Sequence, residues 1–470
     1  MKHLKLLTIC LLGALMTSCA DTPKAPESYP LFWTWLDYHP SMNFDSVCRV
    51  MQETGIDGVM LNAATPDQYR QAIPVAHKYG IEVYAWLWTM NLEHGRDSIV
   101  KAHPDWQSVN RNGDSLADSM AYVNYYKFMC PILPEVRDFI RQKIEAYCAV
   151  EGLNGIAIDY HRFVDVILPT TLWPHYGIVQ DKEYPQWDYG YHPRMIEAFK
   201  AQYGYDPREQ DDPSTDAKWL QFRCDQITEV ANMIADIVHS HGKKMAASPF
   251  PTPKMAKSMV RQDWGKWNLD IVFPMVYHNF YTGDPSFIAD CTIENVRDKN
   301  PKTTLYCGIM APNDPTLFTC MNEALNNGAK GIAIFTVNSL LSPEIRQQFK
   351  AYSDSVRAVR NMPQVVSTDS VAPKHANLDP FVNVSLMKLI EGRMTDLISK
   401  DASTAPLLQL SNYRLVNQYG TTKVYEVIDA ASGTMFDVTF YLYGDVIAGW
   451  DVKKIVKLSN EPSKNRLISD

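Results

Sequence analysis

Residues 153–163 read LNGIAIDYHRF, a short apolar run that opens on glycine and closes on Asp159, Tyr160, His161 and Arg162. Side chains two apart on a strand share a face, so Ala157, Asp159 and His161 fall on one side, and Ile156, Ile158 and Tyr160 on the other. The first set suits the crowded lumen of a barrel, and the second suits a layer of surrounding helices. The same tripeptide, Asp-Tyr-His, also ends the run PLFWTWLDYH at residues 30–39, which raises the expectation that Asp37 and Asp159 share a pocket.

Working outward, these two runs belong to a series of eight between residues 29 and 360: PLFWTWLDYH, IDGVMLNA, IEVYAWLWTMN, LNGIAIDYHRF, KKMAASPFPTP, LDIVFPMVYHNFY, TTLYCGIMAPN and AKGIAIFTVNS. Segments of helical period separate them, among them PDQYRQAIPVAHKYG, PEVRDFIRQKIEAYCAVEG and PEIRQQFKAYSDSVRAVR, each with proline in the first turn. Eight β/α units over this length predict a (β/α)8 TIM barrel over 29–360, in the α/β class, with its active site at the C-terminal ends of the strands. No glycine-rich phosphate-binding signature follows any strand, which argues against a nucleotide fold.

Two connections, roughly residues 92–131 and 164–192, are long enough to be expected to carry function. The second holds Trp173, His175, Tyr176, Tyr184, Trp187, Tyr189, Tyr191 and His192. Such a cluster can form a platform for the apolar faces of sugar rings, or it can pack a satellite core under the loop.

The ends of the chain differ in texture. Residues 1–18 place Lys2 and Lys5 before an apolar stretch too short to span a bilayer comfortably, as a signal peptide does. The sequence LMTSC at 15–19 resembles a bacterial lipobox, which makes Cys19 the expected lipidation site and residues 19–28 a tether. The expected location is the cell envelope, at the outer membrane, with membrane contact through the lipid alone. Removing residues 1–18 moves the formal net charge from −8 to −10, so no nucleic-acid partner is expected. Seven cysteines remain beyond Cys19, with no zinc-like spacing, and read as small buried apolar residues; no metal or other cofactor is expected. Residues 361–379 have the composition of a linker. Residues 380–470 predict a small α+β domain, one helix on an antiparallel sheet built from YRLVNQYG, TKVYEVIDA and MFDVTFYLYGDVIAGWDVKK.

Over roughly residues 30–360 the chain resembles the glycosyl-hydrolase-like family 10 lipoproteins. The pieces that carry the likeness are HPDWQSVNRNGDS, FMCPILPEVRDFI, GIAIDYHRF, YGYDP followed by WLQFRCDQITEVANMI, and DIVFPMVYHN. The resemblance implies a barrel that hydrolyses glycosidic bonds in complex carbohydrate, an oligo- or polysaccharide. The family's strand 4 typically ends in Asp-Tyr-x-Arg, which Asp159, Tyr160 and Arg162 match. More distantly, AIDYH and MVYHN lie over the strand 4 and strand 6 motifs of family 18 chitinases and match Asp159, Met275 and Tyr277. His161 and His278 then stand where those motifs carry acids, which argues against substrate-assisted chemistry.

A glycosidase normally works with two carboxyl groups about 5 to 9.5 Å apart. Asp159 is expected as the first, an ionised nucleophile helped by Arg162 or by a hydrogen bond from Tyr277. Asp37 is expected as the general acid, in parity with Trp33 and Trp35, with Glu93, Asp284 and Asp314 as rivals; Asp270 sits at the wrong end of strand 6 and reads as structural. Trp35, Trp86 and Trp88 are expected to offer stacking faces, and His161, Arg162, Tyr277 and His278 polar contacts to substrate. Two alternatives stay open: a surface lipoprotein that captures glycan without cleaving it, and a metal-dependent hydrolase that uses both Asp-Tyr-His tripeptides.

Overall fold

The computed structural model of the protein describes residues 31–310, 316–341 and 343–361, and four strands between 413 and 457. Eight strands close into a parallel barrel in chain order: β1 Phe32–Asp37, β2 Gly58–Asn62, β3 Glu82–Trp88, β4 Gly155–Asp159, β5 Lys244–Ala247, β6 Ile271–Val272, β7 Thr304–Met310 and β8 Gly331–Phe335. β8 pairs with β1, with Phe32 opposite Ile332. The expected (β/α)8 architecture is what the chain forms.

Several helices start where proline fixes the first turn. Pro66 opens the helix Pro66–Lys78 behind a Thr65 cap, and Pro134 opens Pro134–Cys148. Strand 6 departs from expectation, because only two residues of the run LDIVFPMVYHNFY form regular strand. Pro274 has no N–H to give the ladder, and its carbonyl instead accepts from both Val276 and Gly308. Beyond it His278–Tyr281 turns into a short helix, so the alternation that would have placed Tyr277 and His278 on opposite faces does not extend that far.

The lumen is packed by pairing large aromatic side chains with glycine. Trp33 stands in register with Gly58, Tyr84 with Gly155, and Tyr306 with Gly331, each aromatic filling the space that its neighbour on the next strand leaves empty. A β-carbon on Gly58 would come within 2.5 Å of the Trp33 ring, and one on Gly155 within 2.7 Å of the Tyr84 ring. Trp33, Trp35, Met60, Tyr84, Trp86, Ala157, Ala246, Phe273, Tyr306 and Ala333 form this inner core, separate from the larger one between strands and helices. Side chains from alternate strands thus fill successive layers, as a barrel requires. All seven cysteines of the described barrel are free and buried, as the absence of paired spacing suggested.

Residues 413–457 form an antiparallel sheet of four strands: β9 Tyr413–Tyr419, β10 Thr422–Asp429, β11 Thr434–Tyr443 and β12 Val446–Lys457, in the order β12-β11-β10-β9. The third run expected there divides into two strands. Cys19, the tether, the linker and the helix expected near residues 381–400 lie outside the described residues.

Gly155→Ala tests the lumen packing. Its new methyl meets the Lys244 carbonyl oxygen at 2.5 Å as well as the Tyr84 ring, with backbone on one side that cannot yield. Overpacking of this kind costs about 1–3 kcal/mol, so the urea midpoint of the barrel should fall; an unchanged midpoint would mean that Tyr84 has room to move.

Candidate active site

β4 delivers Asp159 to the top of the lumen. Ala157, two residues earlier, belongs to the inner core, whereas Ile156 and Ile158 belong to the outer one, so the alternation expected for this strand holds up to its last residue. One oxygen of the Asp159 carboxylate accepts from the indole N–H of Trp86 at 2.9 Å, and the other from the backbone N–H of Tyr160 at 2.6 Å. Only 6% of the residue is exposed. Burial pushes its carboxyl up to about 6; the hydrogen bonds from Tyr160 and Trp86 and the charge of Arg162 oppose the rise, and the charge of Glu93 adds to it. The hydrogen bond expected from Tyr277 comes from Trp86 instead. The carboxyl therefore keeps its proton to a higher pH than an ordinary aspartate, where the expected help from Arg162 or Tyr277 would have held it lower.

Tyr160 has φ 46°, in the left-handed region, and this single residue reverses the alternation. His161 is therefore not on the lumen face. Its Nε2 lies 2.9 Å from the carbonyl of Ile227 and its Nδ1 2.8 Å from the hydroxyl of Thr89, with the ring edge-on to Trp267. A carbonyl can only accept, so Nε2 carries the proton and Nδ1 accepts from Thr89. Burial pulls this imidazole down to about 4, and it stands neutral in the barrel wall, away from any substrate.

Arg162 is likewise buried rather than presented to substrate. Its Nη1 donates to Asp165 Oδ2 at 2.9 Å, and its guanidinium lies over the rings of Tyr160, Phe128 and Phe250. Asp165 also accepts from the hydroxyls of Tyr122 and Tyr126 at 2.6 and 2.7 Å. Since Tyr122 and Tyr126 sit on the first long connection and Asp165 on the second, this cluster ties the two together beside the mouth.

The other expected site residues divide. Trp88 is half-buried and its ring packs on Tyr160, centroids 4.1 Å apart, so an aromatic surface stands next to Asp159. Trp86 works through its N–H. Trp35 is 1% exposed, bonded to Ser248 in the inner core, and has no face left for a sugar. Tyr277 is buried; burial, reinforced by the charge of Asp159, pushes its hydroxyl well up, which places the two as neighbours. His278 is buried with its ring 3.7 Å from Cys320 Sγ on the helix Leu317–Asn326, in the outer layer. Asp37 ends β1 exposed, not enclosed against aromatics as a general acid would be. Asp284 is exposed and caps Ser286, Asp270 binds His239 and the Met245 N–H near the strand starts, and Asp314 lies outside the described residues. In the loop cluster, Tyr189 and Tyr191 are buried as part of the large outer core, with Tyr191 bonded to Asp188. The two Asp-Tyr-His tripeptides do not converge: His39 is exposed and His161 is in the wall. Among the described residues no three His, Cys, Asp or Glu side chains are grouped to hold a metal.

Glu93 is the rival carboxylate that the fold brings toward Asp159. Residues not singled out in advance are Trp86 as hydrogen-bond donor, and Tyr125, Tyr126, Phe128 and Phe250 around the mouth. Trp86 lies opposite Ala157 across the β3–β4 ladder, one step below Asp159, a register that no single strand spells out.

Residues 50–168 match the family model of glycosyl hydrolase-like 10. The matched segment includes Trp86, Trp88, Glu93, Asp159 and Arg162, and covers about a quarter of the chain. No curated protein matches the chain. Among solved structures it is similar to a β-galactosidase from the psychrophilic Marinomonas ef1, at 14% identity and TM-score 0.47, over 70% of this chain and 60% of that one. It is also similar to α-L-fucosidase isoenzyme 2 from Paenibacillus thiaminolyticus, at 13% identity and TM-score 0.45, over 71% and 50%. The glycoside hydrolase domain of PelA from Pseudomonas aeruginosa aligns at 11% identity and TM-score 0.36, over 66% and 96%. The chain thus spans between half and three fifths of the first two of these proteins.

The raised carboxyl makes a signed prediction about stability. With a folded value of about 6 against 3.8 for the ordinary group, the folded protein holds this proton more tightly, so the contribution of Asp159 to stability is fully present below pH 4 and is lost as pH rises through 6. The gap between those two values corresponds to about 3 kcal/mol. Asp159→Asn gives up one of two hydrogen bonds at every pH but escapes this loss, so relative to wild type it should gain about 3 kcal/mol between pH 4 and pH 8 in urea unfolding. A difference that stays flat with pH would contradict the buried, raised carboxyl.

Proposed function

We propose that this barrel hydrolyses glycosidic bonds in a complex carbohydrate, with Asp159 as the carboxyl that protonates the departing oxygen. The observation that carries the reading is the setting of Asp159: at the C-terminal end of a barrel strand, desolvated, raised to about 6, and oriented by the Trp86 indole. A general acid needs a value near the working pH, and burial of a carboxyl is a common way to reach it. The half-buried Trp88 ring, packed on Tyr160, offers a flat apolar surface beside it on which a sugar ring can rest. The family match over residues 50–168 supports the same class of chemistry. The residues 1–19 support display of the enzyme on the cell envelope, outer membrane included, through acyl chains on Cys19.

The test is hydrolysis of a panel of polysaccharides by the protein, with product analysis. On the glycan that is cleaved, kcat/KM should fall with an apparent pKa of about 6 as Asp159 loses its proton. Asp159→Asn should lose roughly 10²- to 10⁴-fold in kcat while binding survives. Cleavage by the Asn variant near the wild-type rate would remove Asp159 from the role, and a glycan bound equally by both forms but cut by neither would make the protein a capture lipoprotein. Separately, Cys19→Ala should move the protein from the detergent phase to the aqueous phase in a detergent phase separation; unchanged partition would refute the anchor.

A further inference from the structure

We infer that Glu93 is the second catalytic carboxylate, the base that activates water on the side of the anomeric carbon opposite Asp159. The inference rests on the reading of Asp159 as proton donor. Glu93 lies on the connection that leaves the top of β3, and its side chain is 16% exposed. It is built into the mouth, not loose above it. Its Oε1 accepts from the side-chain amide of Asn62 at 2.5 Å, and Asn62 is the last residue of β2. The amide is oriented in turn by His94, whose Nε2 stands 3.3 Å from Asn62 Oδ1 and 3.7 Å from Glu93 Oε2.

The charge of Glu93 is felt on both sides. It adds to the upward push on Asp159, and it opposes the fall that burial imposes on the Lys143 ammonium. Lys143 donates to the Trp88 carbonyl at 2.8 Å, so the cation stays fixed at the end of β3. The other described carboxylates near the strand ends have different work: Asp165 is consumed by Arg162 and two tyrosines, Asp284 caps a helix, and Asp37 is exposed.

Separation favours the water-holding arrangement. Asn62 ends β2 and Asp159 ends β4, with β3 between them; Leu61 pairs with Ala85, and Trp88 with Asp159, so the two supports are two strand spacings apart and two residues out of step, about 12 Å in all. Glu93 reaches in from the Asn62 side of that span, which suits the wider, water-holding spacing of inverting glycosidases, roughly 6.5 to 9.5 Å, better than the roughly 5 to 5.5 Å of retaining ones. In the step that follows, Asp159 gives its proton to the glycosidic oxygen as the bond from that oxygen to the anomeric carbon breaks. Glu93 takes a proton from water as the water oxygen bonds to the same carbon. One water is consumed, and proton exchange with solvent returns both carboxyls to their starting forms.

Glu93→Gln is the test, with two readouts. First, removing the charge should lower the titration midpoint of Asp159, followed by carboxyl ¹³C NMR on the free protein; an unmoved midpoint would show that the two groups are not neighbours and overturn the inference. Second, on the glycan that wild type cleaves, Glu93→Gln should lose at least about a hundredfold in kcat with KM little changed, Glu93→Ala should be partly rescued by azide, and wild type should invert the anomeric configuration. Glu93→Asp keeps the charge and withdraws the carboxyl by one methylene, so it should fold as wild type does while also losing turnover. Near-normal turnover by Glu93→Gln beside an inactive Asp159→Asn would overturn this inference and leave the hydrolase reading intact, as retention of configuration would overturn the water-activating role. A wild-type protein that cleaves nothing overturns both.

Discussion

The candidate site at the top of this barrel depends on one turn, made where Asp159 accepts from the backbone N–H of Tyr160 while Tyr160 occupies the left-handed region. A bulky residue at positive φ costs about 1–3 kcal/mol. The hydrogen bond to Asp159 and the packing of the Tyr160 ring on Trp88 are the interactions that offset it. The turn sends successive side chains in separate directions. Asp159 stays in the lumen, Tyr160 packs beside Trp88, His161 enters the wall beneath the helix Ala217–Ser240, and Arg162 reaches the ion pair with Asp165.

That last contact joins the site to its surroundings. Asp165 holds Arg162, Tyr122 and Tyr126, so the two long connections meet on one buried carboxylate. Farther along the second connection, Asp188 is bound by Arg223 and Arg261. Burial alone would raise the Asp188 carboxyl, but the two guanidinium charges and their hydrogen bonds prevail and hold it down. Pairs of this kind contribute little net stability, yet removal of one partner leaves a buried charge and costs about 3–5 kcal/mol. Here they tie the long connections to each other and to the barrel wall. Asp159 differs from both, since no guanidinium bonds to it and its burial is left largely uncompensated.

Strand identity was legible because period-two runs and proline-started helices alternate along the chain, and the same alternation places Asp159 correctly. It fails one residue later, since parity assumes extended backbone and carries no sign of the positive φ at Tyr160. His161 and Arg162 are misplaced for that reason alone. The break at Pro274 could have been read from the sequence, because proline cannot serve a central strand, and it would have withdrawn His278 from the site. Trp35 and Asp37 have the expected parity, but parity does not tell depth: one is sealed inside the lumen and the other is out in solvent. The contacts on which the proposed chemistry rests, Trp86 to Asp159 and Asn62 to Glu93, join a strand to a neighbouring strand or to the connection after it, and only the closed barrel's register brings them together.

A carboxyl that burial has made a weak acid at the top of β4 is the centre of the proposed chemistry. Its most direct measurement is the titration of Asp159 itself in the ligand-free wild-type protein, read from the carboxyl ¹³C shift and assigned by its disappearance in Asp159→Asn. A midpoint near 6 is the predicted result. A midpoint at the ordinary 3.8 would mean that water reaches the group freely and that Asp159 holds no proton to give.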